Sequence, residues 1–186
     1  MKRLVAAALA LSLLAGSALV AAPAFAALKV GAQAPDFTTT AFLAGKPMPF
    51  KLSTALSKGG LVVLYFFPSA FTSGCTAEAH EFAVATPEFA AMGASVIGVT
   101  AGKVDQLAEF SKSECRNAFP VAGVTKETIK AYDAVLAIKP DLSDRTTYVI
   151  APDGKIILAY TALTDPLSHI AKAKEAVRAW RKTHPK

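Results

Sequence analysis

Leu61-Val62-Val63-Leu64-Tyr65-Phe66-Phe67 is an unbroken run of seven apolar residues, preceded by Gly59-Gly60 and closed by Pro68. Seven residues is strand length rather than helix length, and a strand with no polar alternation must be buried on both faces. Covering both faces takes packed helices on each side. The run therefore predicts the centre of an α/β sheet.

Working outward, Ser95 to Thr100 and Thr147 to Ile150 read as further strands. Lys155 to Tyr160 follows the turn signal Pro152-Asp153-Gly154 and closes a hairpin with the second of these. A helix is predicted from Thr76 to Met92, with Phe82 and Phe89 on one face and Pro87 as a kink or break. Val104, Leu107, Ala108 and Ser111 mark the inner face of a second helix, which the spacing continues to Cys115. Ile129, Tyr132 and Leu136 mark a third. The last helix opens at Asp165-Pro166, an N-cap followed by proline, with Ile170, Ala173, Val177 and Trp180 as its inner stripe. Alternating strands and helices imply parallel crossovers, and the hairpin adds antiparallel strands. The expected fold is α/β, a central mixed β-sheet flanked by helices, which resembles the thioredoxin-like architecture. No internal repeat or linker interrupts it.

The chain has 186 residues, enough for one domain and an appendage. Met1-Lys2-Arg3 is a positive tip, Leu4 to Val20 is almost wholly apolar, and Ala24-Phe25-Ala26 is an A-x-A cleavage pattern. Residues 1–26 are thus expected to be a secretory signal peptide cut after Ala26, and residues 27–186 the folded domain. The rival is an uncleaved anchor, since the apolar stretch approaches the roughly 20 residues that span a bilayer. Cleavage implies a periplasmic or secreted protein with no stable membrane association. Losing Lys2 and Arg3 lowers the formal charge from +6 to +4. Export argues against a nucleic-acid partner, and the basic stretch from Lys172 to Lys186 reads as a solvated helix face. A composition 53% hydrophobic and 18% charged excludes disorder. Two cysteines exclude a disulfide scaffold or a Cys-rich zinc module. With no metal constellation, Gly-rich phosphate loop or haem-attachment motif, no cofactor is expected.

Cys75 is the residue to weigh. It lies just past the buried strand, at the start of the first long helix, where α/β sheets place their chemistry. Thr72 or Ser73 can cap that helix, which puts Cys75 in its first turn. There the unpaired N–H groups and the helix dipole favour a thiolate, the nucleophilic form of cysteine. The bland alternative is a structural thiol, and Cys75 and Cys115 outside the cytosol could also form a structural bridge.

Pro68-x-x-x-Thr72-x-x-Cys75, with Glu78 after it, resembles the active-site motif of the peroxiredoxins. Gly31-Ala32-Gln33-Ala34-Pro35-Asp36-Phe37 resembles the family's opening segment, and Arg145 to Ile150 with Pro152 to Ile156 resembles the strand and hairpin carrying its arginine. The subgroup most resembled is the bacterioferritin-comigratory, or Q-type, one. The resemblance implies a thiol-dependent peroxidase acting on hydrogen peroxide and organic hydroperoxides. It implies Cys75 as the peroxidatic thiolate, Arg145 as the cation serving sulfur and leaving group, Thr72 as a hydroxyl partner of peroxide or sulfur, and Pro68 as a shield against water. It also implies a monomer and, for an exported enzyme, an exported thioredoxin-like protein or a small thiol as reductant.

One feature departs from the subgroup. Where many members carry a resolving cysteine five residues after the first, this chain has His80, so the remaining candidate resolver is Cys115. A one-cysteine cycle, with an external thiol reducing the sulfenic acid, stays open. His80 itself reads as a helix-surface residue, and His169 and His184 have no evident partners. Thioredoxin-type exchange needs Cys-x-x-Cys, but residue 78 is Glu; copper delivery needs Cys-x-x-x-Cys, but residue 79 is Ala. A non-catalytic binding module is the remaining alternative.

Overall fold

The computed structural model describes residues 27–185, so the leader read over residues 1–26 lies outside the described residues. Its framework is one seven-stranded sheet in the order β2-β1-β5-β4-β3-β6-β7. The apolar run forms β3 (Leu61–Phe66), every residue of it buried. It pairs in parallel with β4 (Ala94–Thr100) and antiparallel with β6 (Thr146–Ile150), which pairs antiparallel with β7 (Ile156–Thr161). The sheet is mixed, as the sequence implies.

The period-two geometry of a strand sends alternate side chains of β3 to opposite faces. Leu61, Val63, Tyr65 and Phe67 join one core with Phe82 and Phe89 of α2 (Ser73–Ala91) and Val177 of α5 (Ser168–Thr183). Val62, Leu64 and Phe66 join the other with Ile129 of α4 (Lys126–Ala131) and Tyr132. Full burial of a side chain of this size contributes about 1.5–3 kcal/mol. Tyr65 stacks on Phe82 with ring centroids 4.4 Å apart, and its ring crosses Gly98 on the paired strand. A Cβ at Gly98 would stand 2.6 Å from the Tyr65 hydroxyl, so only glycine admits that ring.

Several elements differ from the sequence reading. The edge hairpin β1 (Thr38–Leu43) and β2 (Lys46–Lys51) was not anticipated; nor were the short α1 (Leu52–Leu56) and the three-residue β5 (Val121–Gly123), which pairs β1 with β4. Pro47 and Pro49 argue against a strand, but β2 is an edge, where proline is tolerated. The hairpin turns at Ala44-Gly45, both at positive φ. Pro87 does not break α2, which runs continuously to Ala91. The helix expected over Val104–Cys115 is shorter: Val104–Gln106 is a 3-10 turn, and α3 is Leu107–Ser113. Val104 is exposed rather than inward, and Cys115 lies beyond the helix end. Leu136 lies past α4, whose last turn ends at Tyr132. The last helix opens two residues later than expected, with Leu167 rather than Asp165 as its N-cap, because Asp165-Pro166 lies in the turn before it; Asp165 still accepts the Ser168 N–H at 3.3 Å.

Candidate active site

Pro68 ends β3, and hydroxyls pin the loop that follows. Ser143 donates to the Phe67 carbonyl at 2.7 Å, and Thr100 donates to the Pro68 carbonyl at 3.1 Å. Gly102 passes under this point; a Cβ there would meet the Pro68 carbonyl at 2.4 Å. The loop then folds through Phe71, at φ 58°, an uncommon conformation for a bulky residue. Phe71 is half exposed and packs edge-on against Phe110 of α3, 5.2 Å between centroids.

Thr72 is the N-cap of α2 in extended conformation, yet its side chain makes no capping bond. Its hydroxyl turns back and donates to the Ser69 carbonyl at 3.2 Å, which corrects the expectation of a side-chain cap. Cys75 is the third residue of α2 and only 1% exposed. Arg145, just before β6, lies across from it: Nη2 donates toward Cys75 Sγ at 3.6 Å. The guanidinium can come this close because residue 74 is glycine, where a Cβ would sit 3.1 Å from Nη2.

The other two faces of the guanidinium are also held. Nη1 donates to Glu78 Oε2 one helical turn below Cys75, and Nε donates to the Leu163 carbonyl at 3.0 Å. Glu78 is fully buried, and burial pushes its carboxyl up to about 8 against the opposing pull of Arg145. Its Oε1 has no hydrogen-bond partner among the described residues. Burial would lower the Arg145 guanidinium, but the charges of Glu78 and Cys75 raise it.

His169, for which the sequence offered no partner, is fully buried behind this cluster, its Nδ1 3.9 Å from Glu78 Oε1. Burial pushes it down to about 4. No local pattern marks it, because its neighbours arrive from β6 and the end of β7. His80 is partly exposed as expected, and its Nε2 lies 2.9 Å from Glu114 Oε2. Cys75, Arg145, Thr72 and Pro68 thus share one end of β3. Cys115 belongs to the same core as Cys75, but both thiols are free and buried. Its N–H donates to the Phe110 carbonyl at 3.0 Å, and Arg116 and Asn117 follow at positive φ, so it sits in a turn. Burial, and then the charge of Glu114, pushes the Cys115 thiol well up.

A buried thiol in a helix first turn, faced by a fixed guanidinium at the C-terminal edge of a thioredoxin-like sheet, defines the class of thiol peroxidases. The chain belongs to the AhpC/TSA family, whose signature matches residues 30–159. A Mycobacterium tuberculosis relative carrying the peroxiredoxin name is 35% identical over 136 residues, 72% of this chain and 87% of the relative. Peroxiredoxin Bcp of Xanthomonas campestris pv. campestris is 30% identical over 134 residues, 69% of this chain and 80% of the relative. The crystal structure of peroxidoxin BcpB from Mycobacterium tuberculosis has a TM-score of 0.72 at 30% identity, covering 82% of this chain and 97% of that one. The chain is a peroxiredoxin similar to the Bcp and Q-type members.

Proposed function

We propose that Cys75 is the peroxidatic residue of an exported peroxidase that reduces hydrogen peroxide and organic hydroperoxides, with Cys115 resolving the oxidised form. The single observation that carries this reading is Arg145 Nη2 at 3.6 Å from Cys75 Sγ. The Cys75 sulfur attacks the terminal peroxide oxygen; an S–O bond forms as the O–O bond breaks. Negative charge develops on the departing oxygen beside the Arg145 guanidinium, and that oxygen leaves as water or alcohol after taking a proton. Thr72 and Pro68 border the approach. Cys75 is left as a sulfenic acid.

The Cys115 thiol then gives up its proton and its sulfur attacks the Cys75 sulfur; the S–S bond forms as the S–O bond breaks, and the hydroxyl leaves with that proton as water. Both thiols are buried, so this step requires the Cys75 segment and the Cys115 turn to open. An exported thioredoxin-like dithiol or a small thiol returns two electrons to the monomer. Burial of Cys115 favours the rival reading, in which an external thiol reduces the sulfenic acid directly. The domain is residues 27–186, released by cleavage after Ala26.

Peroxide consumption by the purified protein with a dithiol donor tests the activity; Cys75→Ser must abolish it. N-terminal sequencing of the native protein tests export, with Ala27 expected and Met1 on membrane material contradicting it. Cycling of Cys115→Ser at the parent rate would establish the one-cysteine route.

A further inference from the structure

We propose that His169 is a positioning residue that holds the Arg145 guanidinium against Cys75 by clamping the Ala162–Leu163 exit from β7. The inference rests on the peroxidase reading of this site.

His169 lies on the buried face of α5, and both of its ring nitrogens are engaged. Nε2 is 3.1 Å from the Ala162 carbonyl, and Nδ1 is 2.8 Å from the Thr147 hydroxyl. A carbonyl only accepts, so Nε2 carries the hydrogen; in the neutral ring Nδ1 is then an acceptor for the Thr147 O–H. The low titration of this buried ring keeps that arrangement well below neutral pH.

Ala162 connects the histidine to the arginine. Its carbonyl is held by His169, while its N–H donates to the Arg145 carbonyl at 3.3 Å. The next carbonyl, of Leu163, accepts from Arg145 Nε at 3.0 Å. Two consecutive residues thus hold Arg145 by its main chain and its side chain. With Nε on Leu163 and Nη1 on Glu78, the planar guanidinium can present Nη2 to Cys75 in one orientation. A leucine in place of His169 could fill the same volume, but it would release the Ala162 carbonyl and the Thr147 hydroxyl together.

The test measures the second-order rate constant for hydrogen peroxide in the full chain. His169→Leu, Thr147→Val and His169→Gln are compared in the parent and in an Arg145→Lys background. Lysine has no Nε–H to place on Leu163, so the clamp has nothing left to orient. In the parent, His169→Leu and Thr147→Val are expected to slow the reaction roughly 10- to 100-fold, the scale of a small misplacement at a reacting centre. In the Arg145→Lys background each is expected to cost less than about twofold, because coupled residues are not additive. His169→Gln, whose amide can reach the Ala162 carbonyl, is expected to retain most of the parent rate. Circular dichroism confirms folding, and if His169→Leu does not fold, Thr147→Val decides. Parent-like rates in the folded variants, or the same fold-loss in both backgrounds, overturn the inference. Inertness of the parent toward peroxide overturns the peroxidase reading along with it, whereas an active parent with insensitive variants overturns this inference alone.

Discussion

Arg145 reaches Cys75 with one nitrogen while its other two are tied down: Nη2 stands 3.6 Å from Sγ, Nη1 is bonded to Glu78 and Nε to the Leu163 carbonyl. A fixed fork is worth more than a mobile charge where negative charge develops. Arg145→Lys keeps the charge and loses the fork, and should lower the rate constant for peroxide by roughly 100- to 1,000-fold, the range for loss of one such donor. Competition against a reference peroxidase measures it; a Lys variant within a factor of about five of the parent contradicts the role.

Two buried groups of the cluster titrate in opposite directions, which gives stability a defined pH dependence. His169 is lowered from 6.5 to about 4, so the fold binds fewer protons than the unfolded chain in that window. Its contribution is present above 6.5 and lost as pH falls toward 4. Glu78 is raised from 4.5 to about 8, so its contribution is present below 4.5 and lost as pH rises toward 8. Between 4.5 and 6.5 the two oppose each other. Glu78→Gln should therefore expose a loss on acidification below 6.5, and His169→Gln a loss on raising pH from 4.5 to 8, each with a slope of up to about 1.4 kcal/mol per pH unit. Urea unfolding across pH 4–8 checks both, and parallel pH profiles for all three proteins would contradict the assignment.

The opening that resolution by Cys115 would require is opposed by identifiable contacts. Phe71, strained at positive φ, packs on Phe110, whose carbonyl accepts from Cys115 N–H; His80 pairs with Glu114 beside it. Phe71→Ala removes an aromatic pair worth about 0.5–1.5 kcal/mol, so disulfide formation after oxidation should accelerate about 2- to 10-fold. Stopped-flow quenching followed by mass analysis measures the rate; no change would mean that the Phe71 contact does not limit opening.

Tyr65 contains a buried hydroxyl with no hydrogen-bond partner among the described residues. An unsatisfied buried polar group is a net cost, so Tyr65→Phe should raise stability by about 1 kcal/mol. Chemical denaturation tests this, and a comparable loss of stability would show that the hydroxyl has a partner in solution.

Much of this was legible in the chain itself, for physical reasons that differ by residue. β3 announces itself because burial on both faces removes all polar alternation, and Cys75 stands out because it follows that strand at a helix start. The β1–β2 hairpin was hidden by Pro47 and Pro49, tolerated only because β2 lies at an edge. Cys115 was extended onto a helix by spacing alone, whereas the backbone leaves the helix two residues earlier. His169 was illegible because its role depends on Thr147 and Ala162, 22 and 7 residues away in sequence. Glu78 was noticed by pattern, but its full burial beneath Arg145 is a tertiary fact.

The most direct test of the central claim is to treat Cys115→Ser protein with one equivalent of hydrogen peroxide, trap with a sulfenic-acid reagent, and map the adduct by peptide mass spectrometry. Near-stoichiometric adduct on Cys75, absent from a Cys75→Ser control, is predicted. Peroxide left unconsumed, with Cys75 recovered as a free thiol, would contradict it.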